Sequence, residues 1–131
     1  MSNSLIADAV ARIRNAQSAR LREVVIYYSR LLVDVASLLE DEGYISSYEV
    51  FEIRPSVKRI VLRLKYYANA PVINKIKLFS RPGKRMYSSA KNIPKFYGGL
   101  GITVLSTSKG VLPSYKAMSF NCGGELLFGV Y

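Results

Sequence analysis

The chain has no histidine, one cysteine and, beyond residue 70, only one acidic side chain. Each shortage excludes something. Without histidine the commonest general base and metal ligand is missing. A single thiol, Cys122, rules out an internal disulfide framework and any zinc site built on several thiolates. No apolar run approaches the roughly 18 residues of a membrane span, and Asp8 interrupts what would be the apolar core of a signal peptide. A soluble, cytosolic chain is expected.

What is present is a folding composition and a strongly uneven charge. Half of the 131 residues are hydrophobic, enough for one ordinary domain or two small ones. The net charge of +10 is distributed very unequally: residues 1–70 carry ten Lys/Arg against eight Asp/Glu, and residues 71–131 carry nine against one. A polyanion would sit on the second half, although a basic face can equally meet an acidic protein or simply face solvent.

Residues 5–17 space Ile6, Ala9, Val10 and Ile13 along one helical face, with Asp8, Arg12 and Asn15 together on another. "VVIYY" (24–28) reads as a strand, and Ser29 as the N-cap of a second helix. That helix carries Leu31, Leu32, Val35, Leu38 and Leu39 and stops at Gly43. Strands are expected over 44–53 and 58–67, the second pointing Ile60, Leu62, Leu64 and Tyr66 inward and Arg59, Val61, Arg63 and Lys65 outward.

The first half is thus αβαββ, one sheet with two helices on one face. Composition and charge shift at "ANAP" (68–71), which sets expected domains of 1–70 and 71–131. In the second, "INKIKLFSRPGKRMYSS" predicts two strands joined by a type II turn at Pro82-Gly83. A loop then leads to a strand over 102–105, a short helix near 113–121 and a closing strand "GELLFGVY". The fold class is α+β: two small domains, the N-terminal one αβαββ, the C-terminal one mostly β with a short helix.

Three stretches could carry chemistry. In "STSKG", three hydroxyls (Ser106, Thr107, Ser108) precede Lys109 and Gly110. Clustered small donor-acceptors beside a cation suit sugar edges and exposed bases, and they equally suit a plain turn closing a strand. Ser106 and Lys109 also have the Ser-x-x-Lys spacing of serine acylases, but the accompanying motifs are absent. "SRPGKRMY" gathers Arg81, Lys84 and Arg85 at a turn and follows them with Tyr87, so that in an extended segment Arg85 and Tyr87 share a side. In "NCGGEL", Glu125 is the one acid of the basic half, either a salt-bridge partner or an acceptor for base amino groups.

Taken together, "IADAVARIRNAQ", "LEDEGYI", "SRPGKRMY", "GGLGITVLSTSKG" and "GGEL", in this order, resemble the bacterial-type small-subunit ribosomal protein S-eight family from end to end. The resemblance implies two packed α/β or α+β domains and no enzymatic activity. It implies early binding to the central domain of 16S ribosomal RNA at an irregular helix, largely through the C-terminal domain, with neighbouring small-subunit ribosomal proteins as further partners. No cofactor, metal, membrane or small-molecule substrate is implied.

Carried over by residue, the family's main RNA loop falls on Ser106, Thr107, Ser108, Lys109 and Gly110, its hairpin aromatic on Tyr87, its glycine-glutamate pair on Gly124 and Glu125, and its N-terminal helix contacts on Arg12, Arg14 and Asn15. The chain departs from the family at "VLPSYKAMSFN", where an acidic cap is missing and Ser114 is the candidate cap, and at Tyr27 and Tyr28, where proline and serines are usual. Two rivals stay open: an extraribosomal regulator, such as a repressor of its own messenger RNA, or protein-interaction module, and a Ser-Lys hydrolase.

Overall fold

The computed structural model describes residues 2–131, and divides the chain into two compact units, Ser4–Ile73 and Asn74–Tyr131. The first unit begins with α1 (Ser2–Ser18), which buries Ile6, Ala9, Val10, Ile13 and Ala16, the apolar stripe of a 3.6-residue period. β1 (Glu23–Tyr27) follows, then α2 (Arg30–Asp41). The Ser29 side chain caps α2 by accepting the Leu32 N–H at 3.0 Å. At the other end Gly43, at φ +82°, gives the turn its left-handed residue, and the Tyr44 N–H returns to the Leu39 carbonyl at 2.8 Å. α2 buries Leu32, Val35, Ala36, Leu38 and Leu39 and packs on β2 (Ile45–Arg54).

β3 (Val57–Leu64) is central in an antiparallel sheet ordered β1-β3-β2. Its alternation is as expected for Ile60, Leu62 and Leu64, but Val61, on the outward set, is only 9% exposed. Val61 has flanking strands on both sides, with Val25 and Glu49 directly opposite it. The strand also ends earlier than its sequence suggests: after Leu64 the chain turns into a separate two-stranded ribbon, β4 (Tyr66–Tyr67) with β5 (Ala70–Pro71).

The second unit is a five-stranded antiparallel sheet around β10 (Gly124–Val130), the closing strand. On one edge β10 pairs β8 (Ile102–Thr107), which in turn pairs β9 (Gly110–Pro113). Along its other edge lie, in succession, β6 (Ile76–Leu78) opposite residues 128–130 and β7 (Tyr87–Ser88) opposite 124–125. The two strands expected to form a hairpin therefore do not pair with each other. Both use the same free edge of β10, which the chain reaches last.

The turn between them is real but not type II. Arg81 and Lys84 exchange two backbone hydrogen bonds of 3.0 Å around Pro82-Gly83, yet Gly83 lacks the positive φ that type II requires. α3 (Ser114–Ser119) starts at a Pro113 cap, and Ser114 is its first helical residue instead of its cap. The Ser114 hydroxyl instead accepts the Thr103 N–H at 3.3 Å, tying α3 to β8. Ile93, Leu105, Ala117 and Leu126 form the core beneath, with Phe79 and Leu112 at its margin. Among the described residues no helix is long and apolar enough to cross a membrane.

Candidate nucleic-acid interface

β8 runs two residues further than its apolar sequence predicts, through Ser106 and Thr107, because both of its edges are paired. Thr107 pairs with Gly110, so Ser108 and Lys109 form a two-residue hairpin tip. Gly110 stands at φ +106°, where a side chain would be strained. The three hydroxyls then separate by role. Thr107 Oγ1 accepts the Lys109 N–H at 3.1 Å and donates to the Gly110 carbonyl at 2.8 Å, so it closes the turn. Ser106 and Ser108 make no side-chain hydrogen bond among the described residues, and the Lys109 side chain is exposed without an acidic partner among them.

The sheet joins sites that lie far apart in sequence. Glu125 on β10 stands directly opposite Ser106 on one side and Tyr87 on the other. One step along, Leu126 pairs with Leu105 and both enter the core, so alternation puts Tyr87, Glu125 and Ser106 in a row on the other face. Tyr87 is 67% exposed at one end of that row, and from Ser106 at the other end β8 leads within two residues to the Ser108-Lys109 tip. Gly124 has a structural reason of its own: a Cβ there would come within 2.2 Å of the Ser106 carbonyl oxygen, so only glycine lets β10 lie this close to β8.

Arg81, Lys84 and Arg85 are all exposed around the preceding turn. Their placement depends on a residue that the sequence reading passed over. Ser80 is almost fully buried; its hydroxyl accepts the Met86 N–H at 2.9 Å and donates to the Met86 carbonyl at 3.3 Å. This clasp across six residues fixes where Arg85 and Tyr87 leave the sheet. A serine immediately before an Arg-Pro-Gly turn was the available signal, since short hydroxyl side chains commonly satisfy turn backbones.

The N-terminal candidates lie in the other unit. Arg12 is already occupied: Nε donates to Asp8 at 2.7 Å, Nη1 to the Val25 carbonyl at 3.3 Å, and the guanidinium lies 4.9 Å from the centre of the Tyr27 ring. Arg59 approaches the same ring at 4.8 Å. The unusual aromatic at position 27 thus serves as a cation–π support. Arg14 and Asn15 are exposed on the next part of α1.

The Ser-x-x-Lys spacing has no catalytic geometry here. One helical turn would stack Ser106 and Lys109, whereas they lie on a strand and at a hairpin tip, with Ser106 opposite Val111. Among the described residues no three His, Cys, Asp or Glu side chains converge as metal ligands.

Fold and site together define a small basic α+β protein that presents hydroxyls, cations and an aromatic ring from an antiparallel sheet. The chain belongs to the ribosomal protein S8 family, whose model matches residues 4–131. It is 78% identical, over the whole of both chains, to the small ribosomal subunit protein uS8 of Neorickettsia sennetsu. It is 43% identical to that of Ehrlichia canis and 45% to that of a Wolbachia pipientis strain, each over 96% of this chain and at least 95% of the relative. These relatives are small ribosomal subunit proteins.

Proposed function

We propose that this chain is a non-enzymatic constituent of the small ribosomal subunit in the cytoplasm, which binds the central domain of 16S ribosomal RNA through the unit Asn74–Tyr131 and so supports subunit assembly. The observation that carries this reading is the Tyr87–Glu125–Ser106 row ending beside the Ser108-Lys109 tip. The wide, shallow minor groove of an A-form helix displays 2′-hydroxyls, and an irregular helix adds unstacked bases. Ser106 and Ser108 supply donors and acceptors of matching size, Tyr87 a stacking surface, Glu125 an acceptor for base amino groups, and Lys109, Lys84 and Arg85 neutralise phosphates.

One substitution on the RNA side and one on the protein side test the mechanism. Replacing the contacted ribose 2′-hydroxyls with hydrogens, in a helix that keeps its irregular shape, should weaken binding. Equal affinity for the deoxy form would show that the hydroxyls are not reading sugars. On the protein side, removing the charges of Lys84 and Arg85 should flatten the dependence of log affinity on log salt by about 0.7 to 0.9 per lost phosphate contact. No change in slope would remove the turn from the interface.

A further inference from the structure

The sheet of the first unit ends at one side in a group of rings and charges that the RNA-binding reading leaves unused. A cleft there is lined by Tyr27, Tyr28, Glu52, Val57, Lys58 and Arg59, all within Ser4–Ile73. Lys58 and Arg59 follow each other on β3 and so leave it on opposite faces. Each nevertheless meets a ring. Arg59 stands opposite Tyr27 in the β1–β3 register, with its guanidinium 4.8 Å from the ring centre, and the Lys58 ammonium lies 5.1 Å from the ring centre of Tyr28, the residue after β1. Positions 27 and 28 are where the chain departs from the S8 family pattern, so the arrangement is its own and not the family's.

Charges in the cleft are held apart from one another. Glu52 is directly across from Lys58 in the β2–β3 register, yet the two form no ion pair, and the ammonium lies on the Tyr28 ring instead. Arg59 donates one N–H to the Lys58 carbonyl at 2.9 Å and has no acidic partner among the described residues. Two cations therefore stand without an acid. Tyrosine rings hold them in place without neutralising them.

We propose that this cleft docks a protein segment in which a carboxylate side chain lies next to an aliphatic or aromatic one. The carboxylate accepts from Lys58 and Arg59, and its apolar neighbour packs on Val57 and the tyrosine rings. Tyrosine and arginine are the residue types that concentrate binding energy at protein interfaces, and cations already held in position lose less freedom on binding. The proposal rests on the reading of this chain as a small-subunit constituent and adds to it the chemistry of one protein contact. Nucleic acid fits less well. Residues 1–70 carry ten cations against eight acids, too even a balance to draw a polyanion, and a row of phosphates brought to Lys58 meets Glu52 directly across the strand. A second copy of the chain would bring another net charge of +10.

The test presents overlapping peptides, covering the small-subunit proteins of Neorickettsia sennetsu, to the full-length wild-type chain and to Lys58→Gln, Glu52→Gln and Tyr28→Leu. Lys58 and Glu52 are exposed, so their variants should keep the wild-type thermal midpoint and the wild-type affinity for ribosomal RNA. Peptides with an acidic residue beside an apolar one should bind Lys58→Gln about tenfold more weakly than the wild type. The same peptides should bind Glu52→Gln several-fold more tightly, because a like charge leaves the cleft. They should bind Tyr28→Leu more weakly, because the ammonium is then released to Glu52. Peptides held by the basic second unit should score alike on all four proteins.

The site is wrong if Lys58→Gln binds every peptide as the wild type does, or if the peptides it loses are basic. It is equally wrong if Lys58→Gln weakens ribosomal RNA binding as much as peptide binding, because the cleft then holds phosphate. A wild type that prefers its RNA no more than an unrelated duplex, with the peptide pattern intact, sinks the RNA-binding reading and leaves this site standing.

Discussion

Replacing Thr107 with valine keeps the shape of the side chain and deletes two hydrogen bonds, the one accepted from Lys109 at 3.1 Å and the one donated to Gly110 at 2.8 Å. A protein hydrogen bond contributes a net of about 0.5 to 1.5 kcal/mol, and both partners sit at an exposed tip where water can replace the lost group. The expected cost is therefore about 1 to 2 kcal/mol of stability in total. For a unit of this size each kcal/mol corresponds to about 4 to 8 °C in midpoint, well within reach of a thermal melt.

Ser106→Ala and Ser108→Ala remove hydroxyls without a hydrogen-bond partner among the described residues, so their midpoints should stay within about 0.5 kcal/mol of the wild type. If these two serines bond RNA, each change should instead cost about 1 to 2 kcal/mol of binding, roughly a 5- to 30-fold rise in Kd. The pair of assays separates reader from scaffold within a three-residue run. The reasoning fails if Ser106→Ala and Ser108→Ala lower the midpoint as far as Thr107→Val. It fails equally if Thr107→Val melts like the wild type.

Gly124→Ala should lower stability by about 2 kcal/mol or more, since its Cβ would overlap the Ser106 carbonyl, whereas Gly83→Ala, with nothing within 4 Å, should be silent in the same denaturant titration. Ser29→Ala should cost about 1 kcal/mol by leaving the Leu32 N–H without its cap, read as a shifted urea midpoint at constant slope. Tyr44 has its phenol pKa raised above 10.0, first by burial and then by the Glu42 carboxylate. The folded state thus favours the neutral phenol, and this contribution is complete below the unfolded value and lost as pH rises through the folded one. Stability should fall more steeply above about pH 10 in the wild type than in Tyr44→Phe, and parallel curves would refute the assignment.

Local elements of the fold were legible because their causes are local. The leucine spacing of α2, its Ser29 cap and its Gly43 stop lie within fifteen consecutive residues, and the structure has all three. The alternation of β3 was legible for Ile60, Leu62 and Leu64 for the same reason, but the burial of Val61 was not, since that alternation puts it on the outward set. Alternating residues around "RPGK" suggested a hairpin because a turn signal carries no information about which sheet edges are free. The edge of β10 belongs to a strand forty residues later, and it takes both β6 and β7.

The candidate site divides in the same way. Composition alone determined that the net positive charge falls after residue 70, where nearly all the acids are missing, and residue identity singled out Ser106, Lys109, Tyr87 and Glu125 one by one. Only strand register could set Tyr87, Glu125 and Ser106 in one row, because which residues stand opposite each other is decided by long-range pairing. Only the closed hairpin could assign Thr107 to the turn and leave its two neighbours open, and only the folded sheet could bring the Lys58 ammonium to the Tyr28 ring. Hydroxyls and guanidiniums are named by sequence, but whether each is spent or available depends on which backbone groups and carboxylates folding brings within hydrogen-bond reach.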